Sequence, residues 1–441
     1  MYLVRSIGDA TAPDIPGNNV QWTPGQTRYV HESLIQSYRN NPAAWEIVAT
    51  PDASPVTSSR NPVTGGVELS VNSAGLQNGY ALKLPKWRAA LAKVRNGQAN
   101  AKLLCLGDST TLGSGSTGVA GYPASGYLKN VPSKLSAALN AVGISANVNG
   151  VFGSGNIGTL AQYATFDPRW SGPSSWAGFS LTDGLGLYAW RNNSATTTLS
   201  FTPTVDVDTF EIYCSKTPTG TGVDLSVNAG AATNYDLYSA TFSTVVLTIT
   251  EALGSNTLNI TRTTSGTNAA GSTWVLGVRA YNSAAKQVEV IQSGCSGLKV
   301  GDNVLKTNPW NARVMIETYL QPDLTLICLG INDWVAQTNL TTWKTNLNNL
   351  IASAKVTGDV IIATPVPSAD SVRLASIQQQ YVDAIVDLAA SNGIQYVDLW
   401  RRFGSHSAAD TLGFFTDTSH PTGAGYQDCV SALMLAVNSV G

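Results

Sequence analysis

The stretch Leu103-Leu104-Cys105-Leu106-Gly107-Asp108-Ser109-Thr110 decides the fold. Four apolar residues run directly into Gly-Asp-Ser. A short apolar run that ends in turn residues reads as a strand buried on both faces, the mark of a parallel sheet covered by helices. Gly107 is expected to let the chain turn sharply, which puts Ser109 at the carboxyl end of the strand. Open α/β sheets bind their ligands at that edge. Ser109 is therefore a candidate nucleophile, and the rest of the chain is read for its partners.

Apolar positions at helical spacing occupy Leu84 to Val94 and Pro132 to Val142, on either side of this strand. Val148 to Gly155 reads as a strand running into a loop. The alternation of strand and helix is then interrupted, and it resumes near Val288. Strands are expected to begin near Leu103, Val288, Leu324, Val360 and Ile394. Helices marked by Leu340-Trp343-Leu347-Leu350-Ile351, by Ile377-Tyr381-Ile385-Leu388 and by Val430-Leu433-Met434-Val437 lie between and after them. Such alternation implies a parallel sheet covered on both faces.

From about Gly158 to Lys286 the helical period is missing. Short alternating runs replace it: Phe210, Ile212 and Cys214; Val223, Leu225 and Val227; Leu258 and Ile260; Val245 to Ile249; Trp274 to Val278. Turn residues separate them at short intervals, as in a β-sandwich. Residues 158–286 are thus expected to form an inserted, jelly-roll-like β-sandwich, similar to a carbohydrate-binding module. The hydrolytic candidates fall in 81–157 and 287–441, a discontinuous α/β domain. Residues 1–80 form an arm, with loops at Thr11–Gly25 and Pro51–Gly66 and a helix expected over Thr27–Asn40. The arm has too few apolar residues to bury much alone and is expected to attach to another surface.

Only 12% of the 441 residues are charged and the net charge is −2, against about 25% charged residues in ordinary globular proteins. This balance argues against a nucleic-acid partner or an anionic membrane surface. No apolar run approaches the roughly 18 residues of a membrane helix. Met1-Tyr2-Leu3-Val4-Arg5 lacks the apolar stretch of a signal peptide, so synthesis in the cytoplasm is expected. The five cysteines, Cys105, Cys214, Cys295, Cys328 and Cys429, are odd in number and show no metal-ligand spacing. Neither a disulfide framework nor a metal site is expected, and no cofactor is implied.

Serine is a weak nucleophile at neutral pH and needs a base. There are three histidines: His31 in the arm, His406 after the last strand, and His420 in the loop Asp417-Thr418-Ser419-His420-Pro421. A carboxylate three residues before an imidazole can reach its Nδ1 and fix the tautomer, leaving Nε2 to take a proton from Ser109. Acyl transfer also needs donors for an oxyanion. The Ser109 N–H is one. The Asn332 amide, at the end of the Leu324 strand, is a second. A glycine N–H after the second strand is a third, and both Gly153 and Gly297 fit on position alone.

Gly-Asp-Ser, a Gly-x-Ser-Gly turn at Gly294-Cys295-Ser296-Gly297, Gly-Ile-Asn-Asp at 330–333 and Asp-x-x-His-Pro at 417–421 occur in that order. Together they resemble the sequence blocks of the SGNH (GDSL) hydrolase superfamily over about residues 100–157 and 287–441. The resemblance implies a flavodoxin-like, three-layer α/β/α sheet of strand order 2-1-3-4-5. It implies Ser109 as nucleophile, His420 and Asp417 as base and acid, and Ser109, Gly297 and Asn332 as the oxyanion hole. Gln292 departs from the family pattern, which has Asn at that place. The layout, with an inserted β-domain and an arm, also resembles esterases encoded by tailed phages. That implies a virion or extracellular location and a tail protein as the arm's partner, with room for oligomerisation.

The expected function is removal of O-acetyl groups from a bacterial surface polysaccharide by Ser-His-Asp acyl transfer. A general short-chain carboxylesterase or lipase-like enzyme is the alternative of the same class. A non-catalytic glycan-binding or structural virion protein is the alternative of another class. Plainer roles stand beside these: turn-capping for Asp108 and Asp333, a surface or packing role for His31, a structural role or loop contact for His406, acyl pocket or core for Trp334, and sandwich core for most of the insertion's tryptophans.

Overall fold

The computed structural model describes residues 83–181, 184–304, 308–369 and 374–438, and the backbone of five short strands in the first 49 residues. Residues Met1–Pro62 and Leu69–Leu76 form a unit of their own. Its strands are β1 (Tyr2–Ser6), β2 (Ala10–Thr11), β3 (Gln21–Trp22), β4 (Thr27–Val30) and β5 (Trp45–Ala49). β1 pairs antiparallel with β4 and β5, and β2 with β3. The helix expected over 27–40 is corrected at its start. Thr27, Tyr29 and Val30 are good strand formers, and pairing with β1 overrides the helical spacing. The rest of that segment, and His31, lie outside the described residues.

The second unit contains Gln77–Gly441. Its first strands are β6 (Ala101–Gly107) and β7 (Ala146–Phe152). Within 158–286 follow β8 (Trp170–Ser171), β9 (Ala177–Ser180), β10 (Tyr188–Asn192), β11 (Thr198–Phe201), β12 (Val207–Lys216), β13 (Gly222–Val227), β14 (Thr233–Asp236), β15 (Ser243–Gly254), β16 (Leu258–Thr263) and β17 (Thr273–Tyr281). The chain then returns with β18 (Val288–Gly294), β19 (Leu324–Cys328), β20 (Asp359–Ala363) and β21 (Gln395–Val397).

The parallel sheet runs β7-β18-β6-β19-β20-β21. Leaving out β7, this is the 2-1-3-4-5 order expected. β7 is a sixth parallel strand: a strand running into a loop is expected at Val148 to Gly155, but not as a member of this sheet. Leu103, Leu104, Cys105 and Leu106 of β6 are wholly buried, as a central strand with helices on both faces requires. On one face Leu104, Leu106, Ile291, Ile327 and Ile362 share a core with Trp343, Leu347 and Ile351, and with Tyr381 and Ile385. The other face carries α1 (Pro85–Arg95), α3 (Val131–Ala141) and α8 (Gly423–Val437). Trp87 of α1 ties this layer together. Its backbone N–H donates to Asp359 Oδ2 at 2.8 Å and its Nε1–H to the Val437 carbonyl at 2.9 Å. The remaining helices used below are α2 (Ser109–Leu112), α4 (Ile331–Val335), α5 (Leu340–Thr357), α6 (Ala375–Asn392) and α7 (His406–Thr411).

The β-rich segment joins this sheet directly. β17 pairs antiparallel with β7, and β12 and β15 continue the same sheet outward. A second, antiparallel sheet of order β14-β13-β16-β11-β8 packs on that extension. Phe210, Ile212, Cys214, Val275 and Val278 from one side meet Val223, Leu225, Leu258 and Ile260 from the other. The sandwich therefore shares one of its sheets with the α/β part. The physical gain is clear: β17 covers the edge that β7 would otherwise expose.

Candidate active site

Ser109 opens α2 at the end of β6. Asp108 is the N-cap, and its Oδ1 accepts from the Thr110 N–H at 2.9 Å and the Thr110 hydroxyl at 2.8 Å. This fixes the turn that presents Ser109. Gly107 does not take a left-handed φ, so its role differs from the one expected. A Cβ there would overlap the Thr111 side chain and the Cys328 carbonyl. Glycine is needed at 107 for close packing of α2 on β6 rather than for the sharpness of the turn.

Ser109 and His420 are 311 residues apart in sequence, yet Ser109 Oγ lies 2.9 Å from His420 Nε2. His420 Nδ1 lies 3.0 Å from Asp417 Oδ1 and 2.9 Å from Oδ2. A carboxylate only accepts, so Nδ1 carries the proton and Nε2 is free to accept from Ser109. Asp417 Oδ1 also accepts the backbone N–H groups of Ser419 and His420, each at 2.9 Å. Burial alone would raise the Asp417 carboxyl. The hydrogen bonds from His420 and Ser419 outweigh it and hold the group below the usual carboxylate range.

The turn carrying Asp417 and His420 is closed by a bridge between Phe415 and Pro421 and by the Thr416 N–H donating to the His420 carbonyl at 2.9 Å. The Thr416 hydroxyl donates to the Gly115 carbonyl at 2.8 Å, and the Tyr426 hydroxyl of α8 to the Ser114 carbonyl at 2.7 Å. The loop after α2 and the turn are thus fastened to each other. A Cβ on Gly115, whose φ is +75°, would stand 3.0 Å from the His420 Cβ. The base is packed directly on that glycine.

Two further elements converge on Ser109. The Cys295 N–H donates to the Gly107 carbonyl at 3.0 Å, so the turn after β18 starts beside the end of β6. Gly297 follows, with φ +78° and open space where a Cβ would be. Asn332, in the first turn of α4 after β19, donates from Nδ2 to the Leu298 carbonyl at 3.1 Å. One amide hydrogen anchors the side chain beside Gly297 and the second remains available. Among the described residues the N–H groups of Ser109 and Gly297 have no protein acceptor. The Gly153 N–H donates to the Leu276 carbonyl at 3.0 Å and is engaged in the sheet. Of the two glycines that fit on position, Gly297 has the free donor.

Gln292, the departure from the family pattern, is buried. Its Oε1 accepts from Asn130 Nδ2 at 2.8 Å, while Asn130 Oδ1 caps α3 through the Ser133 N–H at 2.9 Å. Nδ2 of Asn130 also donates to the Leu112 carbonyl at 3.2 Å. The longer side chain thus ties β18 to both α2 and α3. Asp108 and Asp333 are buried carboxyls, and burial pushes each up to about 6. Asp333 Oδ2 accepts the Val300 N–H at 3.0 Å, fixing the segment after Gly297. Trp334 belongs to the core, as do Trp170, Trp176 and Trp190 of the β-rich segment, while Trp274 is half-buried. His406, read from sequence as a structural residue or a loop contact, donates to the Asp417 carbonyl.

The GDSL-like lipase/acylhydrolase family profile matches residues 249–427. The match takes in Gly297, Asn332, Asp417 and His420 and leaves out Ser109, which lies on the far side of the β-rich segment. No curated protein is similar in sequence. Among solved structures, a peptidoglycan O-acetylesterase superposes with a TM-score of 0.57 at 15% identity, over 80% of this chain and 96% of its own. An acetyl xylan esterase matches at 0.30 and 20% identity, over 34% and 82% of the two chains. An acetylxylan esterase from Geobacillus stearothermophilus matches at 0.27 and 20%, over 34% and 73%. The first shares the fold; the other two overlap only in part. The profile match over residues 249–427, the strand order and the four ordered blocks together make the α/β domain of this chain similar to the SGNH (GDSL) hydrolases, with which it shares its fold.

Proposed function

We propose that this chain is a serine esterase that removes O-acetyl groups from a carbohydrate polymer. The observation that carries the proposal is the unbroken hydrogen-bond chain from Ser109 through His420 to Asp417. In the first half-reaction Ser109 Oγ attacks the ester carbonyl carbon as its proton passes to His420 Nε2. The negative charge that develops on the carbonyl oxygen is taken by the N–H groups of Ser109 and Gly297 and the Asn332 amide. His420 returns the proton to the leaving sugar oxygen as the carbon–oxygen bond breaks. The acetyl group stays on Ser109. Water then attacks it, gives a proton to His420, and acetate leaves as Ser109 regains its hydrogen. Asp417, held ionised, steadies the imidazolium in both halves.

Choice of acyl group and alcohol rests on coarser support. The structurally similar protein is named a peptidoglycan O-acetylesterase. A chain with only 12% charged residues suits a polyhydroxylated polymer, and a bacterial surface polysaccharide fits the phage-like layout. Acetate release from a panel of O-acetylated polysaccharides, set against hydrolysis of long-chain esters, tests the reading. Acetate release by the wild type and its loss in Ser109→Ala are expected. A clear preference for long acyl chains would favour the lipase-like alternative, and no hydrolysis of any ester would favour a binding role.

A further inference from the structure

Arg191, Phe179 and Trp274 form a cluster on the sheet edge beside the site. Arg191 of β10 pairs with Trp274 of β17, and Ala189, two residues earlier, pairs with Phe179 of β9. Alternation along a strand puts all three side chains on one face. The guanidinium carbon of Arg191 lies 4.6 Å from the Phe179 ring centroid and 5.0 Å from that of Trp274. The two rings meet edge to face at 5.2 Å. Phe179 is 46% exposed.

Other arginines of the β-rich segment are closed off by protein acceptors. Arg169 pairs with Asp167, Arg279 with Glu211 and Glu289, and Arg262 donates to the Gly271 and Ala269 carbonyls. Arg191 differs. Its Nε–H reaches Ser272 Oγ at 3.4 Å, and among the described residues its two Nη groups meet no acceptor. A guanidinium held in place by two rings, with its terminal fork open, has already lost much of the freedom that binding would otherwise cost.

The sheet order relates the cluster to the strand that leads into Ser109. Val278 pairs with Val151, Gln292 with Val151, and Gly294 with Gly107. β17, which carries Trp274, and β6, which leads into Ser109, are separated by three strand spacings, about 14 Å. The connection between them is continuous. Gly178, next to Phe179, packs on Ser154, and the Gly155 carbonyl accepts the Ser296 N–H at 3.1 Å, one residue before Gly297.

We infer that Arg191, Phe179 and Trp274 form a subsite for a carboxylate-bearing sugar of the same polymer whose acetyl ester is cleaved at Ser109. This rests on the esterase reading above. The open Nη fork takes a carboxylate through two parallel hydrogen bonds. The exposed ring of Phe179 and the edge of Trp274 take the apolar C–H face of the pyranose. A neutral glycan would use the rings and leave the fork empty.

The test uses the full chain with three substrates: O-acetylated alginate (a polyuronate), the same polymer after carboxyl reduction, and 4-nitrophenyl acetate. The wild type is expected to show a KM about tenfold lower for the acidic polymer than for the reduced one. In Arg191→Met the difference disappears, and the ratio of acidic-polymer to small-ester activity falls by about the same factor. Arg191→Lys, which keeps the charge and loses the fork, falls between. Equal KM values for the two polymers in the wild type, or an unchanged preference in Arg191→Met, would overturn the subsite alone. Failure of the wild type to hydrolyse 4-nitrophenyl acetate would overturn the esterase reading and the subsite with it.

Discussion

His406 Nε2 stands 2.9 Å from the carbonyl oxygen of Asp417. A carbonyl can only accept, so this nitrogen carries the proton. The His406 ring lies on Phe415 with centroids 4.4 Å apart, and Phe415 in turn contacts Phe403 at 5.6 Å. The turn that carries Asp417 and His420 is therefore held by an imidazole at the start of α7, by the aromatic pair behind it, and by Thr416 on the Gly115 side. His406 touches no reacting atom. It is a positioning residue for the acid and the base.

Replacing His406 by Phe keeps the ring contact and removes the donor. The expected result is a fall in kcat of about tenfold with KM unchanged, and a stability loss of about 1 kcal/mol for the missing hydrogen bond. His406→Gln, whose side-chain amide can donate from a similar place, should recover most of the rate. Steady-state kinetics of both variants check this. Equal losses in the Phe and Gln variants would assign His406 to packing only.

Gly297 and Gly153 both have a left-handed φ, +78° and +77°, in different surroundings. A Cβ on Gly297 meets nothing within 4 Å, whereas one on Gly153 would stand 2.6 Å from the Gly186 carbonyl. Gly297→Ala is expected to fold and to lose rate, because relief of an unfavourable φ of roughly 1–2 kcal/mol moves its N–H. Gly153→Ala is expected to lose stability first, through the clash. Paired melting curves and kcat values separate the two. Normal turnover in Gly297→Ala would remove that N–H from the oxyanion site.

Asp108 links the site to stability through pH. Burial raises its folded carboxyl from 3.8 to about 6, so the native state binds this proton more tightly than the unfolded chain. The stabilisation is complete below the unfolded value and is lost as pH rises through about 6, a change of roughly 3 kcal/mol at most. Asp108→Asn keeps the acceptor for the Thr110 N–H and stays neutral. It should melt higher than the wild type at about pH 8 and converge with it below about pH 4. A wild type more stable than the variant at the higher pH would contradict this assignment.

Much of this site was legible because its candidate residues sit in short blocks at strand ends. β6 carries the unbroken apolar run Leu103 to Leu106, and Ser109, Asn332, Asp417 and His420 follow their strands in order. β7 reads as a strand, but its place in the parallel sheet is hidden because Asn147, Asn149 and Gly150 interrupt its apolar pattern, although both asparagines are buried. Gly150 is there because a Cβ would press on Ile291 of β18 at 2.9 Å. The sharing of one sheet between the two parts depends on β17 finding the edge of β7, a pairing between distant segments that no local pattern encodes. His406 and Thr416 act through backbone carbonyls, and a carbonyl leaves no trace in the sequence. The choice between Gly153 and Gly297 likewise turned on which N–H the sheet had already used.

The central claim is that Ser109 is a nucleophile activated by His420, and covalent labelling tests it most directly. The protein is incubated with a fluorophosphonate, digested, and read by mass spectrometry. The account predicts one adduct, on the peptide that contains Ser109, and a labelling rate that falls by at least about a hundredfold in His420→Ala. An adduct on another serine, or a rate at Ser109 indifferent to the loss of His420, would contradict it.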